Sequence, residues 1–272
     1  MFGRRGGGGR SQGQQGADLR YDLELSFDEA AFGTSKEISF TSKSTCEGCN
    51  GSGAKEGTRP VPCRTCAGLG EVRVAQGFFS MSQTCPTCQG SGQLIEEKCS
   101  KCRGRRLVDK QKKLSVDVPA GVDHGMKIRL NGEGQGGIQG GRPGDLYVVL
   151  HIKAHPLFTR DGTSVLCEFP ITFIQAALGD TVQIPTLDGS VEMRIPAGTQ
   201  PGAVFRLRGK GIPKFRNEST RGDQLVTVRL EVPKKLTKQQ KELLEKFAEA
   251  SGDPDSHPHG KGFFEKVKEI FG

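Results

Sequence analysis

Four stretches decide how this chain is read: Cys46-Glu47-Gly48-Cys49-Asn50-Gly51-Ser52-Gly53, Cys63-Arg64-Thr65-Cys66-Ala67-Gly68-Leu69-Gly70, Cys85-Pro86-Thr87-Cys88-Gln89-Gly90-Ser91-Gly92 and Cys99-Ser100-Lys101-Cys102-Arg103-Gly104-Arg105-Arg106. Each opens with Cys-x-x-Cys, and the gaps between successive pairs are 13, 18 and 10 residues. Thiolates at this spacing suit zinc, which takes four sulfur ligands in a closed tetrahedral site. Eight thiolates make two such sites, with no position left open for a substrate water. Four pairs combine into two sites in three ways. The gap of 18 falls in the zinc-ribbon range of about 15 to 20, whereas 13 and 10 fall below it. That favours Cys63, Cys66, Cys85 and Cys88 as one site and leaves Cys46, Cys49, Cys99 and Cys102 for the other.

Glycines follow each pair at fixed offsets, and there the chain turns tightly through positive φ, so that amide N–H groups can point at sulfur. The fourth copy departs from the pattern, with Arg106 in place of the last glycine. Between positions 45 and 107 only 13 of 63 residues are apolar and not cysteine. That is too few for an independent core, so metal binding is expected to supply the folding energy of this module. The ninth cysteine, Cys167, lies in an alternating apolar segment and reads as core.

The full length of 272 residues suggests two or three modules at roughly 100 to 200 residues each. Apolar residues make up 34%, and no run approaches the ~18 consecutive apolar residues of a membrane span. Met1-Phe2-Gly3-Arg4-Arg5 leads into glycines and not an apolar stretch, so it does not read as a secretory signal. A cytoplasmic, reducing location is the expectation, and it favours zinc over disulfides.

The remainder of the chain repeats itself. Pro119-Ala120-Gly121, Gly125, Arg129-Leu130, Gly132 and Gly134 recur as Pro196-Ala197-Gly198, Gly202, Arg206-Leu207, Gly209 and Gly211, and Gly144-Asp145 recurs as Gly222-Asp223. Upstream, Leu23, Leu25, Phe27, Ala30-Ala31, Gly33 and Ile38 match Phe169, Ile171, Phe173, Ala176-Ala177, Gly179 and Ile184. The Pro-Ala-Gly set is offset by 77 residues, the Gly-Asp pair by 78 and the upstream set by 146, and the difference between 146 and 77 is close to the length of the cysteine region. One β-rich unit has been duplicated, with the cysteine module inserted in its first copy. Period-two alternation in Leu19–Leu25 and Lys36–Phe40 predicts half-buried strands, with helical turns at Asp28–Phe32 and Ile174–Leu178. Thr237 and Gln240 form a capping-box start to a helix carrying Leu243, Leu244 and Phe247. Phe263, Phe264, Val267 and Ile270 in the last segment need something to dock on, because so short a helix is marginal alone.

Taken together, the four Cys-x-x-Cys-x-Gly-x-Gly copies, their insertion into the first of two related β domains, and the Phe-Phe-containing tail resemble the zinc-containing DnaJ co-chaperones, over about residues 17 to 272. The resemblance implies a mostly β fold: two tandem sandwich-like domains, an inserted zinc module and short C-terminal helices. The corresponding boundaries are a Gly-rich linker remnant at 1–16, a first, peptide-binding β domain at 17–44 plus 108–160, the zinc module at 45–107, a second β domain at 161–235, and a helix, linker and dimerisation tail at 236–272. It implies two zinc ions per chain, one on Cys46, Cys49, Cys99 and Cys102 and the other on Cys63, Cys66, Cys85 and Cys88. It also implies a groove for extended apolar peptides involving Leu19, Ile38 and Phe40, all of which equally suit core positions, and a homodimer formed through Phe263, Phe264, Val267 and Ile270. The implied partners are unfolded polypeptides, a DnaK-type chaperone and its nucleotide exchange factor. The family's J domain carries His-Pro-Asp; this sequence has only His155-Pro156-Leu157 and His257-Pro258-His259. A shortened chain, a mis-started frame and a protein without the J domain all fit that.

The function expected is therefore a non-enzymatic chaperone, and no catalytic Ser/His/Asp set or phosphate-cradling loop is present in the sequence. Two other readings stand beside it. A formal charge of +8 and a pI near 9.1 suggest nucleic-acid binding. Yet nine Lys/Arg against five Asp/Glu in residues 45–107 are cancelled by the net −2 of each zinc tetrathiolate, so the cysteine module is not a basic finger. The cluster Arg103, Arg105 and Arg106 reads as a solvated edge. Cys-x-x-Cys is also a thiol-disulfide exchange motif, which metal would silence.

Overall fold

A computed structural model describes residues 13–76, 79–215 and 217–251. They fall into two compact units, one drawn from Met1–Leu166 with Leu207–Gln224, the other from Cys167–Arg206 with Leu225–Gly272.

In the first unit, β1 (Leu19–Leu25) leads through α1 (Phe27–Phe32) into β2 (Thr34–Thr45). Ser26 caps α1 in a capping box: Glu29 N–H donates to the Ser26 hydroxyl at 3.2 Å while Ser26 N–H donates to the Glu29 carboxylate at 2.7 Å. Gly33 ends the helix at φ +80, where an added Cβ would lie 2.9 Å from both Ala120 N and Val118 O. The cysteine-rich insertion carries β3 (Val61–Pro62), β4 (Glu71–Gln76), β5 (Phe79–Thr84) and β6 (Gln93–Leu94). The chain returns through β7 (Leu107–Val118), β8 (Lys127–Leu130), β9 (Leu146–Ile152) and β10 (Phe158–Asp161). Strand β9 lies between β1, to which it is parallel, and β8; β2 pairs antiparallel with β7 over its whole length. The two sheets close on Leu23, Leu25, Ile38, Val116, Val118, Leu146, Val148 and Leu150, the alternate residues that strand periodicity turns inward, with Val122 from the β7–β8 connection beside them.

The second unit repeats the plan with β11 (Ser164–Thr172), α2 (Phe173–Leu178), β12 (Asp180–Thr186), β13 (Gly189–Ile195) and β14 (Val204–Leu207). The short β15 (Pro213–Lys214) and β16 (Asn217–Arg221) belong to the first unit, before β17 (Gln224–Glu231) and the terminal α3 (Lys238–Ala250). Strands β11, β17 and β14 neighbour one another in that order, as β1, β9 and β8 do, and β12 pairs with β13 as β2 does with β7. Cys167 is buried, along with Ile171, Ile184, Ile195, Val226 and Val228.

The duplication is exact down to single hydrogen bonds. Gly121 N–H donates to Ala30 O, and Gly198 N–H to Ala176 O; Gly125 N–H donates to Leu150 O, and Gly202 N–H to Val228 O. The recurrent Gly-Asp has the same task in both copies, since Asp145 accepts from Gly132 N–H and Asp223 from Gly209 N–H, each at 2.8 Å. Thr172 and Gln175 reproduce the capping box on α2, and Thr237 with Gln240 does so on α3.

The insertion is a single nested antiparallel excursion continuing the β2–β7 ladder. That register carries on from Thr45↔Leu107 through Cys46 N–H donating to Arg106 O, the Ala54↔Lys98 bridge and Lys55 N–H donating to Glu97 O. After a slip of three residues it is constant again from Val61↔Leu94 through Cys63 N–H donating to Gly92 O and Cys85 N–H donating to Gly70 O, to Gln76↔Phe79. Nesting of this kind brings the first Cys pair to the fourth and the second to the third.

Candidate functional site

The Sγ atoms of Cys46, Cys49, Cys99 and Cys102 lie within 4.8 Å of one another, and so do those of Cys63, Cys66, Cys85 and Cys88. Either cluster could hold a metal ion. Facing sulfurs are 3.9 Å apart for Cys46–Cys99 and 3.7 Å for Cys49–Cys102, and the second cluster repeats these values at Cys63–Cys85 and Cys66–Cys88. A tetrahedron with zinc–sulfur bonds of about 2.3 Å has edges of about 3.8 Å, whereas a disulfide requires about 2.05 Å. The donor set therefore fits a tetrathiolate ion. Little else fills these clusters: Val72 and Leu94 pack on the inner one and Val108 on the outer one.

The local backbone explains the glycines. Gly51, Gly53, Gly68, Gly70, Gly90, Gly92 and Gly104 all have positive φ. Gly53 N–H donates to Cys49 Sγ at 3.3 Å and Gly70 N–H to Cys66 Sγ at 3.2 Å. Arg106 adopts the glycine conformation at φ +69 and is 9% exposed, so the fourth copy keeps the turn despite its residue. The residue after the second cysteine of each pair is also left-handed: Asn50, Ala67, Gln89 and Arg103 have φ of 45° to 53°. Only Asn50 is of a type that could have signalled this in sequence.

Main-chain donors and burial pull the thiols apart. The N–H groups of Cys88 and Cys102 draw the Cys85 and Cys99 thiols down to about 7. Burial pushes Cys46 and Cys88 up to about 11. A bound cation would favour the thiolate at all four positions of each cluster.

Of the expected groove residues, Ile38 is core at 1% exposed, whereas Leu19 and Phe40 are half-buried and pack against that core. Strands β1 and β2 are each at the edge of their sheet. They meet through the Tyr21 and Phe40 rings, 6.4 Å apart, and through Lys36 Nζ, which donates to Glu24 O at 3.1 Å. Tyr21, which alternates with Leu19 and Leu23 and is not among the expected groove residues, packs against the same core. Phe263, Phe264, Val267 and Ile270 lie outside the described residues. In α3, Leu243, Leu244 and Phe247 are exposed, with Phe247 set edge-on to Phe173 at 6.0 Å. No helix among the described residues is long and apolar enough to cross a membrane.

The family model of the DnaJ C terminal domain matches residues 19–233, and that of the chaperone protein DnaJ C-terminal region matches 239–272. The chain belongs to the DnaJ chaperone family. It is 51% identical to the chaperone protein DnaJ of Nitrosomonas europaea over 267 residues, covering 97% of this chain and 72% of the relative. The DnaJ of Methylobacterium sp. (strain 4-46) is 49% identical over 99% of this chain and 70% of its own length. That of Ruminiclostridium cellulolyticum is 51% identical over 100% of this chain and 73% of its own. Membership of the DnaJ family assigns a chaperone function, and it gives no support to the nucleic-acid and thiol-disulfide readings.

Proposed function

We propose that this chain holds unfolded or misfolded polypeptides in extended form along β2 and prevents their aggregation. In the same reading each cysteine cluster carries one zinc ion, the chain acts as a cytoplasmic homodimer without catalysis of its own, and its clients pass to a DnaK-type chaperone served by a nucleotide exchange factor. The observation that carries the reading is that β1 and β2, each at the edge of its own sheet, lie side by side. An extended peptide can add main-chain hydrogen bonds along an unpaired strand edge, and half-buried Leu19, Tyr21 and Phe40 offer apolar contacts for alternate side chains. Two chains engaging one client would raise avidity through effective concentration, with no need for a deep pocket at either point.

Zinc is supported by sulfur spacings that match a tetrahedral cage and by the scarcity of other core in the arm. Structural zinc releases roughly 10 to 16 kcal/mol on binding. Left-handed Ala67, Gln89 and Arg103 beside the cysteines require about 1 to 2 kcal/mol each, which two ions amply offset. The test is suppression of aggregation of a chemically denatured protein, with no nucleotide present. Suppression should persist in the intact chain and fall when Phe40→Asp places a charge on the β2 edge. Full suppression by that variant would remove β2 as the holding surface.

A further inference from the structure

An apolar cavity lies in the first unit, lined by none of the cysteines. It has a volume of about 230 Å³, with Phe27, Ala30, Ile152, Phe158 and Ile212 on its apolar side and Asp123, His124, Lys153, His155, Thr159 and Arg160 on its polar side. That volume is below the ~300 Å³ at which small-molecule pockets begin, so it suits one large side chain and not a cofactor.

Its two imidazoles are fixed in one tautomer. His124 Nδ1 accepts from Ile152 N–H at 3.2 Å, and His155 Nδ1 accepts from the N–H groups of both Leu157 and Phe158 at 3.1 Å. An Nδ1 that accepts leaves the proton of the neutral ring on Nε2. Neither Nε2–H has a hydrogen-bond acceptor among the described residues. The charged groups are already engaged: Lys153 pairs with Glu24 at 2.8 Å, Arg160 donates to the carbonyls of Val122, Gly121 and Gly162, and the Asp123 carboxylate accepts from His124 N–H at 2.8 Å. The ring of His155 is stacked on Phe158 at 4.7 Å and lies 5.6 Å from Phe27, which holds it rigidly at the cavity wall.

We infer that this cavity is a second client subsite, taking one aromatic or branched aliphatic side chain while the Nε2–H groups of His124 and His155 donate to carbonyls of the same extended segment. Unfolded polypeptide supplies both groups at once, an apolar side chain flanked by main-chain acceptors. The inference rests on the client-holding reading above, but on residues other than those of the β2 edge.

The test uses the full chain and two capped heptapeptides, one with a central Phe among Ser and Gly, the other with Ser in its place. The methyl resonances of Ile152 and Ile212 report on the cavity and that of Ile38 on β2. The Phe peptide should move all three, and the Ser peptide should leave Ile152 and Ile212 in place. Ala154 lies exposed at the cavity wall, so Ala154→Trp should fill the opening and weaken the Ile152 and Ile212 response about tenfold, leaving the Ile38 response within about twofold. His124→Asn keeps an acceptor for Ile152 N–H but removes the Nε2–H, and should weaken the cavity response several-fold. Movement of Ile38 without Ile152 and Ile212 would overturn the second subsite alone, as would an unchanged cavity response in Ala154→Trp. If no methyl moves, the client-holding reading fails with it.

Discussion

Replacing Gly92 by alanine tests whether the inner cysteine cluster is built by close backbone approach. At φ +67, a Cβ on residue 92 would lie 2.4 Å from Gly68 O and 3.2 Å from Gly68 C. The left-handed conformation alone penalises alanine by about 1 to 2 kcal/mol. Bringing the Cβ out to ordinary contact requires a backbone movement of about 1 Å, which strains the bond from Cys63 N–H to Gly92 O. Loss of such a buried hydrogen bond is worth about 1 to 3 kcal/mol. Together, ~2 to 5 kcal/mol corresponds to a fall of roughly 30-fold to 4,000-fold in the metal affinity of that cluster, because ion binding and local folding are one equilibrium. Gly90→Ala is the control: φ is +86, but the added Cβ meets only Thr84 Cγ2, at 3.5 Å. It should lose only the conformational part, about 5-fold to 30-fold. Competition titration with a chromophoric chelator resolves the two clusters, and the outer one serves as an internal standard. If Gly92→Ala holds its ion as tightly as Gly90→Ala, the close approach to Gly68 does not build the cluster and the argument is wrong.

Removing the Ser26 or Thr172 hydroxyl by substitution with alanine should destabilise the corresponding unit by about 1 kcal/mol in each case, read as a shift in the urea midpoint without a change in slope. Gly132 N–H and the Arg129 guanidinium hold the Asp145 carboxyl below the usual carboxylate range. Its contribution is therefore present above about pH 4 and is lost as pH falls through the lowered value, so Asp145→Asn should narrow the difference in unfolding midpoint between pH 7 and pH 3. Chelation should abolish amide-exchange protection from Cys46 to Arg106 and leave β1, β9 and the rest of the first sandwich protected; loss throughout would show that the sandwich depends on the metal. At position 106, alanine keeps the left-handed strain but loses the arginine stem, so Arg106→Ala should bind metal at the outer cluster about 5-fold to 30-fold more weakly than Arg106→Gly. Equal affinities would mean that position 106 carries no strain.

The sequence disclosed most where chemistry restricts the residue. Cysteine spacing and glycine offsets located both clusters, and the recurrence of Pro-Ala-Gly and Gly-Asp located the duplicated sandwich because the glycine N–H and the aspartate carboxylate make the same bonds in both copies. Less was legible where the backbone and not the side chain is specified. Nothing in Ala67, Gln89 or Arg103 announces positive φ, and the conformation is imposed by the cage they adjoin. Leu19, Ile38 and Phe40 lie in strands that alternation marks as half-buried and suit core positions, but alternation cannot tell a core residue from one at a sheet edge. That distinction depends on which strand lies beside β2, a long-range fact. The cavity at His124 and His155 was invisible for the same reason, since its walls come from α1, from the segments after β7 and β9, from β10 and from Ile212.

Arg106 shows which of these constraints governs. In the inner cluster the last glycines interlock, with Gly70 against Gly90 O and Gly92 against Gly68 O at Cβ separations of 2.6 and 2.4 Å. In the outer cluster Gly53 meets Gly104 O at 3.1 Å, and the Arg106 Cγ lies 3.0 Å from the same Cβ position. The backbones there stand further apart, and a side chain occupies the space. The sulfur spacings nevertheless agree between clusters, at 3.9 and 3.7 Å in both. Glycine is therefore not what sets the cage. Four sulfurs and a continuous antiparallel register set it, and glycine is demanded only where two backbones must touch, which leaves the outer cluster free to carry an arginine.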